Sequence, residues 1–209
     1  MKISVIMPVF LGYYEFKIHR SASNPEEKFI RAVNSFLNQT LKDSELMITA
    51  DGCEKAEAIW LKHFYNEERI GFQKIPKQVL YSGEIRQAGI RRASGEIICY
   101  LDHDDMFGRD HLQIISNNFD TEKYDWVYYN DYFVLNADHS MIKTRYVVPE
   151  RNIMGTSAIA HKRNVPVIWG DNNTHDFDMI EKYLLGRPNI KIPTPQYYVC
   201  HCSGLKIDY

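Results

Sequence analysis

The densest chemistry of the 209-residue chain lies in LDHDD, Leu101 to Asp105, where Asp102, Asp104 and Asp105 put three carboxylates into four residues. Carboxylates this close raise one another's pKa and repel unless water or a cation intervenes. Hard Mg2+ or Mn2+ prefers oxygen ligands and keeps positions open for substrate phosphates, so one or two of these acids suit a metal-diphosphate site. A solvated acidic turn before the next helix explains the same residues without a ligand. Asp51, followed by Gly52, presents a carboxylate that could accept from a nucleobase or ribose, or simply forms an Asp-Gly turn. Arg86 could reach a phosphate, although Arg91 and Arg92 mark a generally basic helix face. In HDFDMIEKYL, Asp176 stands at a helix start, where it serves either the helix dipole or, pointing into a cleft, as a general base. His201 lies within Cys200-His201-Cys202; without a second cluster a structural zinc site is disfavoured, leaving a core histidine or a lone metal or phosphate ligand.

These groups need a frame. The length suits one moderately large domain, and 44% hydrophobic, 25% charged and 13% aromatic residues exclude disorder, collagen-like repeats and a pure coiled coil. With 25 basic and 27 acidic residues the net charge is -2, so no global positive field gathers nucleic acid. No stretch reaches the roughly 18 apolar residues of a membrane span, and the apolar run near Met1 is broken by Pro8. Four scattered cysteines do not make a secreted disulfide framework, so reduced thiols and a cytoplasmic protein are expected.

Apolar runs at Ile3–Phe10, Glu45–Ala50 and Ile97–Leu101 read as strands covered on both faces, with a shorter one at Ile70–Ile75. Between them lie helices: one from Pro25 with Asn24 as cap, one over Glu54–Glu68, and one over Ser82–Ser94 ended by Gly95 as a left-handed terminator. This alternation implies a mostly parallel sheet with helices on both faces, whose ligands sit at the carboxyl ends of the strands. Asp51 and Asp102 follow two such strands. Further on, a helix over Arg109–Phe119 precedes a hairpin, DWVYYNDYFVL and MIKTRYVV around the NADHS turn. A strand at Thr156–His161, a helix over Asp176–Leu185 closed by Gly186, and the aromatic strand QYYVCHC complete the chain.

Taken in order, VIMPVF, SFLNQT, the strand reaching Asp51-Gly52, and IRQAGIRRASGEIICYLDHDD resemble the family 2 glycosyltransferases of GT-A fold. The resemblance is dense from Ile3 to Asp105, and its specific part runs from Ala88 to Asp105. It implies a single α/β domain with a mostly parallel sheet and a mixed C-terminal region, residues 1–105 binding the sugar nucleotide and 106–209 the acceptor. By the same resemblance Pro8, Phe10, Asp51, Arg86, Asp102, His103 and Asp104 bind the nucleotide sugar. Asp102, Asp104, Asp105 and His201 attend a Mn2+ or Mg2+ ion, and Asp176 is the catalytic base. The implied reaction moves a sugar, with inversion, from a nucleoside diphosphate donor, UDP-linked by expectation, to a glycan or lipid-linked acceptor. Peripheral contact with the inner face of a membrane is compatible with such an acceptor.

Several positions depart from the family pattern: Leu11 and Gln87 replace asparagines, and Ala50 and His175 replace acids. The stretch Gly12–Ser23 reads as an insertion overhanging the donor pocket. Two rival readings use the same residues. A Mg2+-dependent nucleotidyltransferase or phosphohydrolase would use the acidic cluster, but PVFLGYYE lacks a glycine-rich phosphate loop. A non-catalytic sugar-nucleotide or glycan-binding module would hold an ion without turnover.

Overall fold

The computed structural model describes residues 1–12, 24–78, 82–134, 142–150, 153–170, 172 and 174–200. Strand β1 (Ile3–Val9) is buried along its whole length, because both of its faces are covered. Ile3, Val5, Met7 and Val9 point to one side, against Phe29, Val33 and Phe36 of α1 (Pro25–Leu37), Ala56 of α2 (Glu54–His63) and Leu112 and Ile115 of α4 (His111–Asn118). Ile6 points to the other side, towards the layer built by α3 (Gly83–Arg92) and by Met179 and Ile180 of α5 (His175–Tyr183). Period-two alternation along one strand thus feeds two cores, which is why the run reads as uniformly apolar.

Strands β2 (Ser44–Asp51), β3 (Ile70–Ile75) and β4 (Ile97–Tyr100) join β1 in parallel. Strand β5 (Met106–Phe107) leaves this sheet, and β6 (Trp126–Tyr128) returns to it. With β9 (Ile159–Lys162) and β10 (Asn189–Lys191) the seven-stranded order is β10-β6-β9-β4-β1-β2-β3, and β9 runs antiparallel to both neighbours. A smaller sheet takes β5, β7 (Asp131–Val134), β8 (Ile142–Arg145) and β11 (Tyr197–Cys200) in the order β5-β11-β7-β8. The mostly parallel sheet with helices on both faces and the mixed C-terminal region are as the sequence implies. No helix among the described residues is long and apolar enough to cross a membrane.

Local details differ from the sequence reading. Asn24 does not cap with its side chain; it adopts a left-handed conformation (φ 50°) and accepts the Lys28 amide through its carbonyl at 3.2 Å, a backbone state asparagine tolerates. Gly95 has no left-handed backbone, since Gly52 is the one positive-φ glycine among the described residues. Its glycine requirement is proximity: a Cβ would stand 2.7 Å from the Ser4 amide nitrogen. Helix α2 stops at His63, five residues before Glu68, because the chain must turn through Phe64 to start β3 at Ile70. Helix α5 ends at Tyr183, before Gly186, with the Leu184 and Leu185 amides both bonding the Ile180 carbonyl. Residues 156–158 form a 3-10 turn before β9. The hairpin is real for β7 and β8, but β6 belongs to the large sheet, where buried Trp126 and Val127 sit between β9 and β10. The NADHS turn and residues 13–23 of the inferred insertion lie outside the described residues.

Candidate functional site

The chain leaves β1 for β2 and β3 on one side and returns through α3 to β4 on the other, so the order reverses between β1 and β4. Open parallel sheets bind ligands in the crevice at the carboxyl ends flanking such a reversal. Pro8, Phe10, Asp51 and the acidic turn after β4 all lie along that edge.

Asp51, the last residue of β2, is buried and doubly engaged: it accepts from the Gln78 amide at 2.6 Å and pairs with the Lys77 ammonium. Gly52 makes the turn behind it with φ +59°. The Lys77 ammonium also lies 4.5 Å from the centre of the Phe10 ring. Phe10, Asp51 and Lys77 therefore form one cluster, and nothing in the sequence alone pointed to Lys77.

Arg86 is the pivot of the edge. Helix α3 carries it into a buried position, 3% exposed, where Nη2 donates to Asp102 Oδ1 at 2.7 Å. Its Nη1 donates to the Ser82 hydroxyl and stands 3.6 Å from Asp176 Oδ1 and 3.1 Å from His175 Nε2. The Trp169 ring lies 5.0 Å from the guanidinium carbon, a cation-π arrangement. Burial works against the Arg86 charge, but Asp102 and Asp176 outweigh it and hold its pKa above the ordinary value. Ser82 and Trp169 are partners that no sequence signal marked.

At the start of α5 His175 Nδ1 lies 2.5 Å from the Asn172 carbonyl, and Nε2 lies 3.0 Å from Asp176 Oδ1 as well as beside Arg86 Nη1 and the Ser82 hydroxyl. Burial pulls the His175 pKa down, and the Asp176 carboxylate more than restores it, leaving it raised. For Asp176 burial pushes the pKa up, but Arg86 and then His175 outweigh it, so the carboxyl lies below its usual value and is ionised at neutral pH. A charged carboxylate held between Arg86 and His175 at the cleft edge can take a proton from a hydroxyl brought against it.

The acidic turn divides its side chains. Asp102, His103 and Asp104 are partly exposed, whereas Asp105 is buried and accepts from Tyr197 Oη and the Cys200 amide, each at 2.8 Å. Burial, with the charges of Asp104 and Asp102, pushes the Asp105 pKa well above the usual carboxylate value. No group of three or more His, Cys, Asp or Glu side chains forms a ready metal cage among the described residues. The donor chemistry still fits Mg2+ or Mn2+, which takes one or two carboxylates and completes its shell with water and phosphate oxygens. Asp102, a third exposed beside its bond to Arg86, and Asp104 supply such oxygens. His201 lies outside the described residues.

The chain matches the model of glycosyl transferase family 2 over residues 17–184 and belongs to that family. An uncharacterized glycosyltransferase of Rickettsia bellii is 29% identical over 113 residues, 54% of this chain and 14% of that protein. The fold is that of GT-A enzymes. S. aureus TarS 1-349, also solved in complex with UDP-GlcNAc, superposes with TM-score 0.73 at 15% identity, covering 96% of this chain and, in the two structures, 60% and 58% of TarS 1-349. The mannosyltransferase PcManGT of Pyrobaculum calidifontis, solved with GDP-Man and Mn2+, gives 0.67 at 12% identity over 95% of this chain and 56% of its own. The chain thus spans under two thirds of each of these relatives.

Proposed function

We propose that the protein is a metal-dependent inverting glycosyltransferase that moves a sugar from a nucleoside diphosphate donor, UDP-linked by expectation, to a hydroxyl of a glycan or lipid-linked acceptor. The observation that carries this reading is the buried Arg86, whose one guanidinium meets both Asp102 of the acidic turn and Asp176 at the start of α5. Elements far apart in the chain thereby bring a diphosphate-side acid and a proton-accepting acid to one cleft. The named ligands of TarS and PcManGT support a sugar-nucleotide donor for this fold.

In this reading Phe10 and Asp51 meet the nucleoside, with Lys77 displaced or redirected from Asp51, and Pro8 and His103 line the same crevice. Asp102 and Asp104 hold Mn2+ or Mg2+, whose charge would offset that building on the departing diphosphate. Arg86 adds a fixed positive charge beside the phosphates. Asp176 takes the proton of the attacking hydroxyl, and His175 keeps its carboxylate oriented. Residues 1–105 serve the donor, and residues 106–209 receive the acceptor and supply the base.

Thermal shift with a panel of nucleoside diphosphates and their sugars, with and without Mn2+, tests this. A matching donor at a hundredfold excess over Kd stabilises by about 2.7 kcal/mol. The shift is expected to need Mn2+ and to vanish in Asp104→Ala. Absence of any ion-dependent nucleotide shift in the parent protein, or an equal shift in Asp104→Ala, refutes the assignment. Tight binding without sugar transfer or release across an acceptor panel would instead identify a binding module.

A further inference from the structure

We propose that Asp105, Tyr197 and Arg31 form a clamp that fixes the acidic turn to the end of β11, so that Asp105 is a positioning residue and not an ion ligand. The inference rests on the reading of Asp102 and Asp104 as the ion-holding pair. Its grounds are geometric. Both oxygens of Asp105 are already used, one by the Cys200 amide and one by the Tyr197 hydroxyl, each at 2.8 Å. Tyr197 Oη in turn accepts the Asp102 amide at 3.2 Å, so one buried hydroxyl links the first and last acids of the turn. Arg31 of α1 closes the other side, donating from Nη2 to the Asp104 carbonyl at 2.5 Å and to the Cys200 carbonyl at 3.5 Å. Within the turn, the Asp105 amide donates to the Asp102 carbonyl at 3.0 Å.

The physical consequence follows from burial. An ion seeking Asp105 would have to reach a residue only 4% exposed and crowd a carboxyl that already accepts the Tyr197 hydroxyl and the Cys200 amide; displacing the latter would leave that amide without its acceptor in the interior. Asp102 and Asp104 are instead left partly exposed by the same bonds. The Asp102 amide, the Asp104 carbonyl and the Asp105 side chain are held by groups from α1 and β11, with Tyr197 braced edge-on against Phe107 at 5.6 Å. Preorganisation of this kind is what outer partners of a metal site supply, and losing one typically weakens ion binding 10- to 100-fold.

The test uses the full chain and reads free Mn2+ by electron paramagnetic resonance during titration in the presence of UDP, alongside melting by circular dichroism. Tyr197→Phe keeps the ring and removes the hydroxyl; the expected result is a Mn2+ Kd raised about tenfold in a protein that still melts cooperatively. Asp105→Asn retains an acceptor for the Cys200 amide and is expected to keep measurable Mn2+ binding where Asp104→Ala loses it. Should Tyr197→Phe not fold, Arg31→Lys carries the same expectation, because the shorter lysine side chain does not carry its ammonium to the place from which Nη2 donates to both carbonyls. An unchanged Mn2+ Kd in the folded clamp variant overturns the inference, as does Asp105→Asn losing Mn2+ as completely as Asp104→Ala. If the parent binds no Mn2+ with any nucleoside diphosphate, the donor-site reading falls and takes the clamp's purpose with it. If only the variants behave otherwise than expected, the clamp alone is wrong.

Discussion

Asp176 and His175 show what one side-chain exchange does at the edge of the proposed site. With an acid at position 175, two carboxylates would compete for Arg86; with histidine there, Asp176 sits between the two side chains, 3.0 Å from His175 and 3.6 Å from Arg86. That environment keeps the carboxylate ionised but also makes it a weaker base, so its position must supply much of the effect. Asp176→Asn keeps the shape and removes proton acceptance. Its expected result is a loss of about 10²- to 10⁴-fold in transfer rate with donor affinity retained. Steady-state kinetics beside donor titration checks this; transfer at the parental rate would place the base elsewhere.

At the scale of elements, the end of the sheet opposite the cleft is tied by one carboxylate. Glu45 of β2 accepts from Ser4 of β1 at 2.6 Å, from the Ser94 amide at 2.6 Å and its hydroxyl at 2.9 Å, and pairs with Lys2 at 2.6 Å. It thereby staples β1 and β2 to the loop that follows α3. Burial raises the pKa of Glu45, but Lys2, Ser4 and Ser94 together outweigh it and bring it from 4.5 to about 2. A depressed carboxyl stabilises the fold fully above its unfolded value and loses that contribution as pH falls through the folded one. Between 4.5 and about 2, therefore, the parent should lose stability steeply. Glu45→Gln should start about 2 kcal/mol less stable at neutral pH, after discounting for the water that reaches Lys2, and show a flatter acid limb. Urea denaturation at several pH values measures both; parallel acid limbs in parent and variant would show that another group governs this range.

For the molecule as a whole, the two cores on either face of β1 make the large sheet its most protected part. Cys99 lies in β4 with no exposed surface, and burial drives its thiol pKa far up. A thiol so placed reacts only when the sheet opens. Alkylation of Cys99, followed by mass spectrometry, is expected to proceed at the rate of global opening and to slow further when a donor and Mn2+ are bound. Rapid labelling of Cys99 in the native protein would mean that the β4 side of the sheet opens independently.

Much of this architecture is local and therefore readable along the chain. Uniformly apolar strands, the helical face of Phe29, Val33 and Phe36, and carboxylates at the end of β2 and just past β4 are short-range patterns that hydrophobic burial turns into a parallel sheet with acids at one edge. The resemblance carried by Ala88 to Asp105 named the family for the same reason, since its motif is contiguous. Packing alone decided which distant groups meet. Lys77 on Asp51, Trp169 beneath Arg86, and Tyr197 against an aspartate 92 positions earlier have no spacing to betray them. Nor does periodicity tell that β6 joins one sheet and β7 another, or that Gly95 is required by the closeness of Ser4 and not by its own backbone angle. Partial exposure of Asp102 and Asp104 beside burial of Asp105 was settled the same way: three identical side chains within four residues differ in which tertiary neighbours fill their hydrogen bonds.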